Sequence, residues 1–172
     1  MQQGHDFRCI PKTVWCVFDG CLKNDPEKMA LVEEMGFGQL SNLPKFYLKQ
    51  NVLKELVNCF DIYDNTILAV AGEVEITTEK IGKALGDLFD NKVVQKDPSD
   101  EDYAVFKFFQ GKTQAALTKL IYEPLVNTAE NRLLFKRAFL IFIQKCFLLA
   151  MSSPNVTPRS LPTLFDNENT RG

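Results

Sequence analysis

Gly111-Lys112-Thr113 is the stretch whose residue types come closest to nucleotide chemistry, because it matches the end of a phosphate-binding loop. The complete motif also needs a glycine five positions earlier, so that the backbone amides can turn toward the phosphates. Phe106 occupies that position, and no strand-like run precedes it. We therefore interpret these three residues as a break between two helices and predict no bound cofactor.

Thiols and a single histidine are the other candidates for chemistry. Structural zinc sites usually use closely paired ligands such as Cys-x-x-Cys, and this chain contains no such pair. Thiol and serine hydrolases need a histidine base, yet the only histidine lies in a terminus that we expect to fray. The sequence thus predicts no metal site, no catalytic residue and no enzyme. The thiols are interpreted as buried or idle, with a zinc set as the alternative: His5, Cys9, Cys16 and Cys21.

The composition and charge limit the classes of function that remain. The 172 residues carry a net charge of −2, from 20 basic and 22 acidic residues. Without a basic run or excess, nucleic-acid binding is disfavoured. Five cysteines do not suggest a disulfide framework, and the polar N-terminus does not read as a signal peptide, so we expect an intracellular protein. Lys136, Arg137 and Lys145 interrupt the apolar residues 135–151, which favours a buried helix over a membrane span.

The elements that would position any site are mainly helical. The pattern predicts a mainly α fold, with about six helices around a central apolar C-terminal helix and one small β-hairpin at about residues 66–76. We predict a weakly structured segment over residues 1–24, in which residues 14–18 form a strand or the start of a helix. A single helical domain follows over residues 25–151. After it we predict a loose, proline-containing tail over residues 152–172. Capping residues mark several helix starts: Asp25, Thr77 or Thr78, Ser99 and Thr128. A helix at about residues 49–60 has one apolar face: Leu48, Val52, Leu53, Leu56, Val57 and Phe60.

An ordered series of motifs runs through this domain. In chain order they are Met35-Gly36-Phe37-Gly38-Gln39-Leu40, Leu43-Pro44, the helix Leu53–Phe60, a hairpin with Gly72-Glu73, and Thr78-Glu79-Lys80-Ile81-Gly82-Lys83-Ala84-Leu85-Gly86. In their order and spacing they resemble the plant mobile domain family, also labelled aminotransferase-like. The likeness is to its legume-type, transposon-derived branch and covers residues 25–168.

The resemblance implies a nuclear protein derived from a transposable element, which acts through protein contacts, in part with a phosphatase-like partner. It does not imply aminotransferase chemistry, because pyridoxal enzymes need a Schiff-base lysine inside a larger fold. The family domain continues beyond the equivalent of Leu164-Phe165-Asp166. We therefore expect a truncated product whose apolar surface is left open for a partner or for self-association.

These observations predict a non-catalytic protein-interaction domain. The alternative is a nucleic-acid-binding module, in which the hairpin and the following helix form a layout like a winged helix. In that layout Lys80, Lys83 and Lys92 would contact phosphates. Acidic neighbours argue against it: Glu73, Glu75 and Glu79.

Overall fold

The computed structural model describes residues 10–85, 100–123, 125–148 and 155–156. Over these residues the fold is mainly α with a small antiparallel sheet, which confirms the predicted fold class. A π-helical turn at Gln144–Leu148 continues the last helix, and 3₁₀ turns lie at Leu22–Asn24 and Gly38–Asn42. The helices are α1 Pro11–Gly20, α2 Pro26–Glu34, α3 Gln50–Asn58, α4 Thr78–Leu85, α5 Asp100–Phe109, α6 Gln114–Tyr122 and α7 Ala129–Ile143.

Side-chain caps begin several helices, and those of Asp25, Thr77 and Thr128 are where the sequence predicts them. The Asp25 carboxylate accepts a hydrogen bond from the backbone N–H three residues later, at 3.1 Å. The Oγ1 atoms of Thr113 and Thr128 do the same at 3.2 Å each, and that of Thr77 at 3.1 Å. Each bond satisfies an N–H that has no partner within the helix. The caps therefore fix the starts of α2, α6, α7 and α4.

Helix α7 lies at the centre of the hydrophobic core, as the sequence predicts. Phe135 and all residues from 138 to 143 are buried, so the helix is covered on most faces. The Phe139 ring meets Phe18 of α1 and Phe37 edge-on, with centroids 6.0 and 5.9 Å apart. Such edge-to-face pairs stabilise a core beyond the area that they bury. Other helices supply the remaining core: Val14, Val17, Leu31, Val32, Phe109, Leu117 and Ile121.

The sheet contains the predicted hairpin and one additional strand. Its strands run in the order β1 (Phe60–Asp61), β2 (Thr66–Ala69) and β3 (Gly72–Glu75), all antiparallel. Ile67 pairs with Phe60 on one side and with Val74 on the other. Gly72, at a φ of 127°, occupies a backbone conformation that favours glycine and closes the β2–β3 turn.

The prediction of a weakly structured segment over residues 1–24 is wrong for its described part. Residues 11–20 form α1, and Val14, Val17 and Phe18 are buried in the core. Two features hid this helix: its β-branched and aromatic residues have low helix propensity, and Ile10 at the N-cap offers no side-chain oxygen. Tertiary burial overrides both.

The predicted tail, residues 152–172, is described at only two positions. Val156 is 4% exposed, and its N–H donates to the carbonyl of Lys112 at 3.0 Å. The loose-tail prediction is therefore wrong at residues 155–156, where the chain is tied to the α5–α6 turn. Lys92 and the predicted cap Ser99 lie outside the described residues.

Candidate functional site

Residues 111–113, which match the end of a phosphate-binding loop, form the turn between α5 and α6. The N–H of Gly111 donates to the carbonyl of Val156 at 3.1 Å, and Thr113 caps α6. The Lys112 ammonium lies 4.2 Å from the centroid of the Phe108 ring, a cation–π contact. These donors are already engaged within the fold and do not converge on a common anion position.

Two of the four candidate zinc ligands, Cys16 and Cys21, lie within the described residues. The Cys21 thiol donates to the carbonyl of Ile121 at 3.8 Å, and burial raises its pKa. In the described ranges no group of three or more His, Cys, Asp or Glu side chains is arranged to hold a metal ion. His5 and Cys9 are outside those ranges.

A partly buried cluster joins the α1–α2 connection to the end of α6. Lys28 is 3% exposed, and its ammonium donates to the carbonyl of Tyr122 at 3.0 Å. It also lies 3.4 Å from the Asp25 carboxylate and 4.0 Å from the Cys21 sulfur. The Tyr122 hydroxyl donates to the carbonyl of Cys16 at 3.0 Å, and burial raises its pKa. Lysine, thiol and phenol are reactive types, but here they bond backbone carbonyls and hold elements together.

A surface groove of about 510 Å³ lies beside this cluster. Its volume is in the range of small-molecule sites. The charged residues of its lining, Asp19 and Lys23, pair with each other at 3.5 Å. The hydroxyl of Ser41, also in the lining, donates to the carbonyl of Gly38 at 2.6 Å. The residues that line the groove are Trp15, Phe18, Asp19, Leu22, Lys23, Pro26, Met29 and Ser41.

The apolar face that the sequence predicts for α3 is not covered by the core. Val52, Leu56 and Val57 of α3 are between 43% and 49% exposed. Among the described residues between 44 and 104, none belongs to the buried core cluster. The sequence predicts this amphipathic face but gives no sign that it stays open to solvent.

The sheet continues this apolar face. Phe60, Ile67 and Val74 are cross-strand neighbours, so their side chains form one row on one face of the sheet. Phe60 is 37% and Val74 47% exposed. Phe60 follows the last residue of α3 by two positions, so the helical stripe and this row are adjacent along the chain. We name the combined set the α3–sheet surface: Val52, Leu56, Val57, Phe60, Ile67 and Val74.

Carboxylates lie on the face of the sheet opposite this apolar row. Cross-strand register places Asp61, Thr66 and Glu75 side by side on the opposite face, with Glu73 beside Leu68. Asp64 lies in the turn between β1 and β2. At the start of this turn the Asp61 carboxylate accepts a hydrogen bond from the N–H of Tyr63 at 2.8 Å. Among the described residues, no lysine or arginine forms an ion pair with any of these carboxylates.

The predicted nucleic-acid contacts are engaged inside this segment. The Lys80 ammonium donates to the carbonyl of Glu75 at 2.8 Å, and Lys83 forms an ion pair with Glu79 one turn away on α4. Lys92 lies outside the described residues. The structure therefore sets both described lysines among acidic neighbours and does not align them as a basic stripe.

Among the described residues, no helix has the length and apolar character needed to cross a bilayer.

Comparisons with known proteins give one match. Neither the curated proteins nor the solved structures include a match. A family model described as a domain of unknown function, DUF8566, matches residues 7–172. Since this match covers nearly the whole sequence, the chain belongs to the DUF8566 family.

Proposed function

We propose that this chain is a non-catalytic protein-interaction domain, and that the α3–sheet surface is where a partner binds. The supporting observation is that an amphipathic helix and a row of sheet side chains expose their apolar sides together. Fully burying one Val, Leu or Phe side chain is worth about 1.5–3 kcal/mol. Covering these side chains with a partner therefore supplies free energy that the isolated fold leaves unused.

The lineage and location belong to the same proposal. They rest on the motif order from Met35 to Gly86, which resembles the transposon-derived plant mobile domain family. From this resemblance we propose a nuclear protein, with a phosphatase-like protein as one class of partner. The DUF8566 description assigns no function and adds nothing for or against this lineage.

The nucleic-acid alternative has less support from the contacts. Lys80 and Lys83 are held by a backbone carbonyl and by Glu79. An electrophoretic shift assay at low and at moderate salt separates the two functions. We expect no shift at either salt concentration, whereas a shift that weakens steeply with salt would favour nucleic-acid binding, because phosphate contacts release counterions.

Site-specific photo-crosslinking in cells tests the interaction domain directly. We would place p-benzoylphenylalanine at Val57 on α3 and, as a control of similar exposure, at Tyr103 on α5; the two side chains are 49% and 53% exposed. The expected result is a discrete, nuclease-resistant protein adduct from position 57 only. The adduct should weaken when Val74→Ser is added, since that change alters the same surface.

The outcomes of this experiment separate the hypotheses. Equal labelling from both positions, or none from position 57, would contradict a dedicated docking surface. An adduct that disappears after nuclease treatment would instead support the nucleic-acid alternative.

A further inference from the structure

We propose that Cys21 and Lys28 form an oxidation-sensitive modification site, in which hydrogen peroxide joins the cysteine sulfur to the lysine side-chain nitrogen as a sulfenamide. The product is a covalent link between the end of α1 and the first turn of α2. This site is separate from the α3–sheet surface and does not depend on the proposed function. Three features support it: the contact between the reacting atoms, the partners that orient them and the access of a small oxidant.

The two reacting groups are already in contact in the folded chain. The Lys28 Nζ atom lies 4.0 Å from the Cys21 sulfur, although the residues are seven positions apart. Cys21 is the C-cap of α1, and Lys28 lies in the first turn of α2, which begins at Pro26. The 3₁₀ turn between the two helices brings the side chains together. Groups held at contact react faster than free ones, because the entropy of bringing them together is already lost.

Neighbouring groups hold the pair in this arrangement. The Lys28 ammonium donates to the carbonyl of Tyr122 at 3.0 Å and lies 3.4 Å from the Asp25 carboxylate. Together with the Cys21 sulfur, these acceptors match the three N–H donors of an ammonium group. The Lys28 side chain is only 4% exposed, so it cannot turn toward solvent without losing all three contacts. A sulfenic acid at Cys21 would therefore form directly beside this nitrogen.

Cys21 is within reach of a small oxidant. The residue is 9% exposed, and its neighbour Leu22 lines the surface groove. Burial raises the pKa of the Cys21 thiol, while the nearby Lys28 ammonium acts in the opposite direction. Because the thiolate is the form that attacks peroxide, we expect slow oxidation that needs an excess of hydrogen peroxide.

The first step oxidises the thiol. The Cys21 sulfur attacks one oxygen atom of hydrogen peroxide, the O–O bond breaks, and a sulfenic acid forms while one water molecule leaves. Sulfur loses two electrons in this step, and the peroxide takes them. No further oxidant is needed, since the second step is a condensation.

The second step joins nitrogen to sulfur. The Lys28 ammonium first loses a proton, for which the Asp25 carboxylate at 3.4 Å is the nearby acceptor. The amine nitrogen then attacks the sulfur, the S–O bond breaks, and the leaving hydroxide takes one nitrogen proton to become water. Sulfenic acids condense with backbone nitrogen in the same way. The product lacks the ammonium charge, and an added thiol can reverse the link by attacking its sulfur.

Peptide mass spectrometry of the full chain tests the proposal. The native protein is treated with excess hydrogen peroxide, its remaining thiols are alkylated, and it is digested with trypsin, which cleaves after Lys23 between the two residues. The expected species joins the Cys21 peptide to the Lys28 peptide, with two hydrogen atoms lost and no oxygen gained. Dithiothreitol should separate it into the two unmodified peptides. The same treatment in urea should give about tenfold less of this species, because unfolding removes the contact.

Variants of the full chain identify the reacting atoms. Cys21→Ser should abolish the linked species, whereas the control Cys59→Ser, which removes a thiol outside this junction, should leave its yield unchanged. Lys28→Arg keeps a cation at the junction but replaces the amine with a poorly nucleophilic guanidinium. In that variant Cys21 should stop at the sulfenic acid, which dimedone captures. Circular dichroism checks the fold of each variant, and the result on the parent chain needs no variant at all.

Several outcomes would overturn the proposal. One is a Cys21 that gains oxygen atoms while Lys28 stays unmodified, and another is a Cys21 that peroxide leaves unchanged. A sulfenamide between Cys21 and a backbone nitrogen would also overturn it, because the lysine would then take no part. Equal yields of the linked species in the native and the urea-unfolded chain would show that the folded contact does not direct the reaction.

Discussion

Lys28 illustrates how a residue of a reactive type can serve the fold. Its ammonium sits at the last carbonyl of α6, where the negative end of the helix dipole attracts a cation. The same ammonium lies near Asp25, which caps α2. A lysine that is 3% exposed would be costly without these partners. Its burial is therefore explained by the junction that it closes, and no catalytic role is needed to account for it.

This explanation predicts a large effect of Lys28→Met, which keeps the apolar stem and removes the charge. The carbonyl of Tyr122 would lose its donor, and we expect the free energy of unfolding to fall by about 2–3 kcal/mol in urea titrations. The control is Lys23→Met, because that side chain is 74% exposed and pairs with Asp19 at 3.5 Å. Its effect should stay within about 0.5 kcal/mol. A Lys28→Met protein as stable as the parent would show that the buried charge contributes nothing.

At the scale of elements, the sequence predicts those parts of the fold that depend on local chemistry. Asp25, Thr77 and Thr128 cap helices where their types and positions indicate, since a side-chain oxygen meets a nearby backbone N–H whatever the tertiary context. Helix α1 and strand β1 escape prediction for the opposite reason. The first depends on burial against α7, and the second is a two-residue strand whose partner, β2, fixes it.

The candidate site is likewise only partly predictable from the sequence. Helical periodicity identifies the apolar face of α3, and alternation identifies the hairpin. Neither pattern states which apolar face the core will cover, because that depends on the arrangement of all helices around α7. The alignment of Phe60 with Val74 also needs the strand register, which follows from pairing in three dimensions.

The turn between α5 and α6 provides a prediction at this scale. Gly111 has a φ of 76°, and a Cβ built there meets no atom within 4 Å. Gly111→Ala should therefore cost about 1–2 kcal/mol through backbone strain alone. Gly111→Asn should cost less, since asparagine adopts this conformation more readily. Thermal and urea unfolding of the two variants makes the comparison, and equal losses would indicate that something other than φ decides.

At the scale of the molecule, the described residues divide into a core and a segment that contributes no side chain to the buried cluster. The buried cluster draws on α1, α2, α5, α6 and α7, while the described residues of α3, the sheet and α4 contribute no member. This division links the fold to the proposed function, because the apolar side chains of this segment that the core leaves exposed are accessible to a partner.

The division predicts different responses to mutation and to hydrogen exchange. Ile141→Ala removes a fully buried side chain of α7 and should lower the free energy of unfolding by about 2–5 kcal/mol. Val57→Ser on α3 should leave it within about 0.5 kcal/mol, because that side chain is 49% exposed and touches no core cluster. Amides of α3 should exchange well before those of α7, since elements with few buried contacts open locally. Equal protection of α3 and α7 in the free chain would instead mean that the segment and the core unfold as one unit.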